Sequence, residues 1–478
     1  MARSPELKLD RRSLMSSLLL GSKALAVGKV ASTTEEGSLI RSGRQQSIPA
    51  EVPMFAGNAA RTGKMPGPGP VSTNGIEELW RFQAADSIDS SPAIANGRIF
   101  VGSRDGALYA LESETGTVKW TFQTEGDVLS SPAVGDGVVY FGSLDGHVYA
   151  LSANDGRRRW MFSAGSWVDS SPVIDDDTLY VGSCDNNLYA LGLSDGFERW
   201  RYTTLDEVHA PPSVLGDSVY VGGKDGVLYA LDKAIGTEKW QFSTGGPIYS
   251  AAAVADDVVF VTSLDGNLYA LRAANGEQIW SLATKDFIVS SPAVQNGVVF
   301  IGSYDGYVYA MNAENGAELW RFDTHGPVYS SPTVSNGIAY IGSRGWSMFA
   351  VDTSTGTEIW HFSTPAEIRS SPAVTGGAVY FGGMDGTFYA LGASEPVLGA
   401  GGTARVREAT QLRRAPSPSA PVRSDILQDA IVTVDAGPDA ASGAPWWLVT
   451  ASDSGDRGWI EELKLEPLTS PSVAAAAQ

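Results

Sequence analysis

Residues 80–120, WRFQAADSIDSSPAIANGRIFVGSRDGALYALESETGTVKW, decide the fold, because tryptophan returns at 80, 120, 160, 200, 240, 280, 320 and 360 without insertion or deletion. Self-similarity at a fixed period means stacked supersecondary units that bury a core only against their neighbours. Four strand patterns fill each period. In the first copy they are A, Ile88–Ile94; B, Arg98–Gly102; C, Ala107–Leu111; and D, Thr117–Phe122, each carrying β-branched or aromatic residues. Asn96-Gly97, Arg104-Asp105-Gly106 and Thr115-Gly116 separate them, and Asn-Gly and Asp-Gly supply the positive φ angles of tight hairpins. Four antiparallel strands in sequence form a meander, and a meander repeated radially is a β-propeller blade. The fold class is all-β.

Proline orients the blade. It stands at 92, 132, 172, 212, 292, 332 and 372; having no N–H to give a ladder, it makes strand A a sheet edge. Small Ser and Ala neighbours suit the crowded axis, so A is innermost. Strand D is then outermost, where each indole fills the widening gap between blades for about 4–6 kcal/mol by area. The A-B-C pattern occurs eight times, the last at Ile368–Leu391, and no strand D follows it; Ile76–Phe82 has a D pattern with no A-B-C before it. The N-terminal strand therefore completes blade eight, and residues 76–391 form an eight-bladed ring with only short, protected edges.

LYALESETGTVKW, VYALSANDGRRRW and LYALRAANGEQIW resemble the repeat of pyrroloquinoline-quinone (PQQ)-type propellers, a family containing quinoprotein dehydrogenases and non-catalytic relatives such as an outer-membrane assembly scaffold. The resemblance implies an eight-bladed propeller over residues 76–391. In its enzymes PQQ is held by a vicinal cysteine disulfide, a stacking tryptophan and calcium. This chain has one cysteine, Cys184, and lacks long inter-strand insertions, so the redox activity does not transfer and no cofactor is expected. PQQ with calcium belongs to the alternative of a PQQ-dependent oxidoreductase.

A net charge of −20 excludes a nucleic-acid partner and an anionic-membrane surface, and a single cysteine excludes an intramolecular disulfide, a Cys-rich zinc site and a CxxC redox pair. Arg11-Arg12 before a short apolar run from Leu14 to Ala26 resembles a twin-arginine export signal, residues 1–31. The run is too short for a permanent membrane anchor. Residues 32–75 read as a Pro/Gly-rich linker, which Met54-Phe55 pin in part to the body. A second linker spans 392–403 and a disordered tail 468–478. Between them, residues 404–467 resemble a bacterial SH3-like domain, in Leu412–Ser417, Trp446-Trp447 and Gly458-Trp459-Ile460. Trp446, Trp447 and Trp459 are its candidate groove residues, at least two of them needed for the core of so small a barrel.

Function on the ring is sought where copies differ. The D-to-A loops and B-to-C turns share one face, and variation on an invariant frame is how a scaffold presents a binding surface. The candidate ligand-binding face comprises Asp89, Arg104, Trp167, Asp169, His209, Lys224, Tyr249, Phe287, Tyr304, Tyr329, Arg344, Trp346 and Arg369, with Tyr249, Phe287, Tyr304, Tyr329 and Trp346 forming an aromatic arc beside Arg369. No catalytic or metal residues are expected: the Asp-Gly aspartates read as turn residues rather than calcium ligands, and the four histidines share no ligand spacing. The expectation is a monomeric, exported, non-catalytic scaffold that binds a protein, peptide or cell-wall glycan. A third reading is an envelope protein assembly scaffold.

Overall fold

The computed structural model describes residues 51–70, 75–393, 403–439, 446–461 and 464–468. The expected signal segment 1–31, residues 394–402 of the second linker and residues 469–478 of the tail lie outside the described residues. Eight four-stranded antiparallel sheets follow one another along the chain, each in the order A-B-C-D, and no α-helix forms among the described residues.

In blade one the strands are Ala93–Ala95, Arg98–Gly102, Ala107–Glu112 and Val118–Gln123. Strand A is thus shorter than the expected Ile88–Ile94, and its Ser-Ser-Pro stretch leaves the ladder for a different bond. Ser91 N donates to Ser131 Oγ of the next blade at 2.9 Å, and the link repeats from 131 to 171, 251 to 291, 291 to 331, 331 to 371 and, closing the circle, 371 to 91. A belt of serines therefore ties blade to blade near the axis. It has one gap: Pro211 offers neither a hydroxyl to Ser171 nor an N–H to the next copy, where Ala251 also lacks a hydroxyl.

The ring closes as the strand count requires. Ile76–Gln83 pairs antiparallel with the last strand C, Thr387–Ala393, from Ile76 opposite Ala393 to Gln83 opposite Thr387. Outer-rim tryptophans complete the seams. Trp80 Nε1 donates to Ser113 O of blade one at 3.1 Å, and Trp120, Trp160, Trp200, Trp240, Trp280 and Trp320 each donate to the carbonyl 33 residues on. Each indole lies against a glycine of the next blade's C-to-D turn; a Cβ on Gly116, whose φ is +70°, would come within 2.4 Å of the Trp80 ring. Trp360 is the exception, donating to Pro70 O.

That exception reveals a part of the fold that the sequence reading had as linker. Residues 51–70 run once round the inner strands: Val134 N donates to Pro53 O, Val214 to Ala59, Val254 to Ala60, Val294 to Thr62 and Val334 to Gly63, and Gly377 donates to Pro68. The innermost strand of a sheet exposes N–H groups at its free edge, and this segment supplies acceptors to them in blades one, two and four to seven. Met54 and Phe55 are buried, as expected for the pinning pair. Arg61 is 0% exposed. Its guanidinium donates to Phe55 O, Pro212 O, Ser171 O and Pro172 O, so it bridges the inner strands where the serine belt is broken. Burial without a carboxylate pushes its pKa down to about 9.

The described residues between 403 and 468 form a seven-stranded antiparallel sheet, ordered Val422–Ile426, Thr410–Arg413, Arg457–Glu461, Trp446–Ala451, Ile431–Asp439, Thr403–Val406, Leu465–Leu468. Leu412, Ile426, Val432, Val434, Val449 and Ile460 are among its core residues. This arrangement fits an SH3-like half-barrel.

Candidate functional site

Each D-to-A loop is clamped to the B-to-C turn of the blade it enters, so the two do share one face. Arg104 N donates to Ser87 O, Cys184 N to Trp167 O, Lys224 N to Glu207 O, Tyr304 N to Phe287 O and Met384 N to Glu367 O. Asp105 joins this clamp: it accepts from Ala107 N and Tyr109 OH within its blade and from Ala85 N of the loop, a turn-stabilising role.

On this frame the variable side chains gather into two groups. In the first, Arg104 Nε meets Asp89 at 2.6 Å and Arg369 lies 3.9 Å from the same carboxylate, which joins the first repeat to the last. Arg369 and Arg344 both bind Glu367, each at 2.9 Å. Their guanidiniums also lie over Tyr329 and Tyr304, 6.0 and 5.6 Å from the ring centroids. Phe287 packs on Tyr304 at 4.2 Å and Tyr304 on Tyr329 at 6.3 Å. Partial burial works to raise the Glu367 pKa, but the two arginines outweigh it and hold the carboxyl below its ordinary range.

Tyr249, expected in the same arc, belongs instead to the second group, its ring 5.1 Å from that of His209. His209 Nδ1 lies 2.7 Å from Asp169 Oδ2, and Nε2 lies 3.0 Å from Glu207 Oε2. Lys224 Nζ binds Glu207 at 2.6 Å. Cys184 Sγ sits 3.6 Å from His209 Nδ1 and 3.8 Å from Asp169 Oδ1. Ligand atoms of Asp169, Cys184 and His209 all fall within 4.8 Å of one another. The histidines share no ligand spacing in sequence; His209 and Asp169 occupy the same repeat position in adjacent blades, and ring geometry brings together residues 40 apart in sequence. The His209 hydrogen bond foremost, with Lys224, holds Glu207 down to about 2, against the effect of burial. Burial works against the imidazolium, yet Asp169, Cys184 and Glu207 raise the His209 pKa well above its ordinary value.

Glu207 and Glu367 were missed from sequence. Both occupy the repeat position of Trp167 and Phe287, so the signal was present in a column read only for its aromatic members.

Two tryptophans remain open to solvent on this face, Trp167 at 42% and Trp346 at 55% exposure. Trp346 is held at φ +66°, at the turn position where Gly106, Gly146, Gly226, Gly266, Gly306 and Gly386 also have positive φ. A bulky L-residue adopts that conformation only under strain of about 1–2 kcal/mol. In the C-terminal sheet Trp446 is buried and Trp459 half-buried, so Trp446 is core rather than groove, while the side chain of Trp447 lies outside the described residues.

The ring and its repeat define a PQQ-type eight-bladed β-propeller. Within that class the chain belongs to the family described as outer membrane protein assembly factor BamB, whose model matches residues 71–167, 162–251, 243–329 and 304–396. No curated protein matches the chain. Among solved structures it is similar to BamB from Moraxella catarrhalis, at 20% identity and a TM-score of 0.58 over 66% of this chain and 99% of that one. It is also similar to the computationally designed Ika8 protein, at 17% identity and a TM-score of 0.59 over 66% and 99%, and to a europium-containing methanol dehydrogenase, at 14% and 0.63 over 72% and 98%. At these identities the likeness is of fold alone. No helix among the described residues is long and apolar enough to cross a membrane.

Proposed function

We propose that the protein is an exported, non-catalytic propeller that binds a protein or peptide of the cell envelope on the face of D-to-A loops and B-to-C turns. One observation carries this reading: Trp346 is half-exposed and held in a strained conformation at a position where six copies have glycine. Strain of this kind persists where the side chain has a use, and exposed tryptophan is the residue type most enriched at binding hot spots. Trp167 enters blade three and Trp346 lies in blade seven, on opposite sides of an eight-membered ring, so a partner meeting both covers the mouth. Export through the twin-arginine-like segment and an SH3-like C-terminal module that adds a wall-directed contact complete the proposal. The family description, an assembly factor, supports the more specific version of an envelope assembly scaffold; a cell-wall glycan is the other occupant that the aromatic groups favour.

A quinone enzyme is the weaker reading, because the residues at the mouth do not fit the cofactor. Asp89 and Glu367 are held by guanidiniums, and Cys184 faces His209 with no second thiol in the chain. Titration with PQQ and calcium should give no stoichiometric complex and no dye-linked alcohol oxidation; either result would reverse this preference. Immobilised full-length protein should retain an envelope protein that the Trp346→Gly variant releases. Equal retention by both would remove the proposed role of the face. Residues 1–35 fused to a reporter should be exported, and exchange of Arg11 and Arg12 for Lys should abolish it.

A further inference from the structure

We propose that Asp169, Cys184 and His209 form a three-ligand zinc site that ties the third blade to the fourth. The ligand set carries the chemical argument. Thiolate, imidazole and carboxylate together suit Zn2+, and three protein ligands leave a fourth position open. With bonds of about 2.0–2.3 Å, a tetrahedral ion needs ligand atoms about 3.3–3.7 Å apart. Cys184 Sγ stands 3.6 Å from His209 Nδ1 and 3.8 Å from Asp169 Oδ1. The other oxygen of the same carboxylate, Asp169 Oδ2, hydrogen-bonds His209 Nδ1 at 2.7 Å, and that bond opens when a metal ion replaces the proton between them; one ligand atom from each of the three residues falls within 4.8 Å of the others.

The other imidazole nitrogen supports this assignment. Glu207 Oε2 lies 3.0 Å from His209 Nε2 and is itself fixed by Lys224 at 2.6 Å. A carboxylate on the non-ligating nitrogen is the usual way a metal-binding histidine is oriented, because it places the Nε2 proton outward and leaves the Nδ1 lone pair for the ion. On binding, the Sγ proton and the proton between Nδ1 and Asp169 pass to solvent, and the thiolate and carboxylate offset the charge of the ion. His209 is 7% exposed in its side chain, and an ion this enclosed needs anionic ligands beside it.

Position supplies a second, independent argument. The serine belt lacks its link from blade three to blade four, because copy four reads His209-Ala210-Pro211-Pro212 in place of the Ser-Ser-Pro form. Asp169 and Cys184 belong to blade three, and His209 leads into blade four. The repeat that lost the belt serine thus gained, two residues earlier, the one histidine among the eight copies of that position, facing the one cysteine of the chain. Arg61 bridges the same two blades through Ser171, Pro172 and Pro212, leaving the loop-face side of this seam to the metal.

The test uses purified full-length protein freed of metal by chelator. Zinc titration should show one equivalent bound and a raised melting temperature, and cobalt should give a thiolate charge-transfer band. Cys184→Ser should abolish that band, and Cys184→Ser and His209→Gln should each weaken zinc binding by about 100-fold or more. His325→Gln, an exposed control, should change nothing. Because Cys184 is the sole thiol, alkylation of the unmodified protein reports the site even where a variant fails to fold: zinc should slow the reaction at least tenfold. Sub-stoichiometric binding, affinity unchanged in both folded variants, or alkylation indifferent to zinc would each overturn the site.

Discussion

Trp346 combines the two costs a soluble protein normally avoids, a left-handed bulky residue and an exposed indole. Trp346→Gly should therefore stabilise the ring by about 0.5–1 kcal/mol in urea unfolding, since strain relief exceeds the added freedom of the unfolded chain, while partner binding falls. A gain in binding would deny that the strain is functional. Glu367 offers a pH test. Arg344 and Arg369 hold its folded pKa below the ordinary value, so its contribution is present above about pH 4.5 and is lost as pH falls through the depressed folded value. Glu367→Gln should be less stable than the parent at pH 7, with the difference shrinking at pH 3; a difference constant with pH would count against the arginine clamp. At this scale the sequence showed which positions vary but not which side chains meet. The Asp89–Arg369 contact spans the first and last repeats, and Tyr249 turns from its aromatic neighbours in sequence toward His209. Partner choice depends on the angle between blades, which no local pattern encodes.

Strands were the most legible elements, because a fixed period repeats their alternation and turn chemistry eight times. Only strand A was misjudged in extent. Its Ser-Ser-Pro segment satisfies its backbone through the next blade's serine hydroxyl rather than through its own ladder, and such a bond leaves no periodic trace. Residues 51–70 were illegible for a similar reason: Pro and Gly density reads as linker, and the hydrogen bonds that fix the segment's path round the ring come from residues far away in sequence. Arg61 is the fixed point of that segment. Arg61→Ala strips charged donors from four buried carbonyls and should cost at least about 3 kcal/mol in denaturant unfolding. Arg61→Lys should recover little, since one ammonium cannot match the planar fork that reaches Pro212 and Pro172 together. Full recovery by lysine would mean that charge alone matters there.

The molecule as a whole depends on closure. Removal of Ile76–Gln83 exposes the last strand C along the full pairing from Ile76–Ala393 to Gln83–Thr387, so this truncation should lower the melting temperature far more than removal of residues 403–478. Equal melting would contradict closure by the N-terminal strand. The closing strand was legible because a D pattern stood at the wrong end of an otherwise complete count. That the inner edges would also be served from the N-terminal side was not. Together these features set an order of events. The inner segment gains its partners blade by blade, from Ile94 to Gly377, but Ile76–Gln83 meets its partner only when Thr387–Ala393 has followed, some three hundred residues later. Such long-range pairing is slow and exposes strand edges while it waits. The nascent chain is therefore an open coil of blades throughout synthesis, and a factor that holds it unclosed has the whole of translation in which to act.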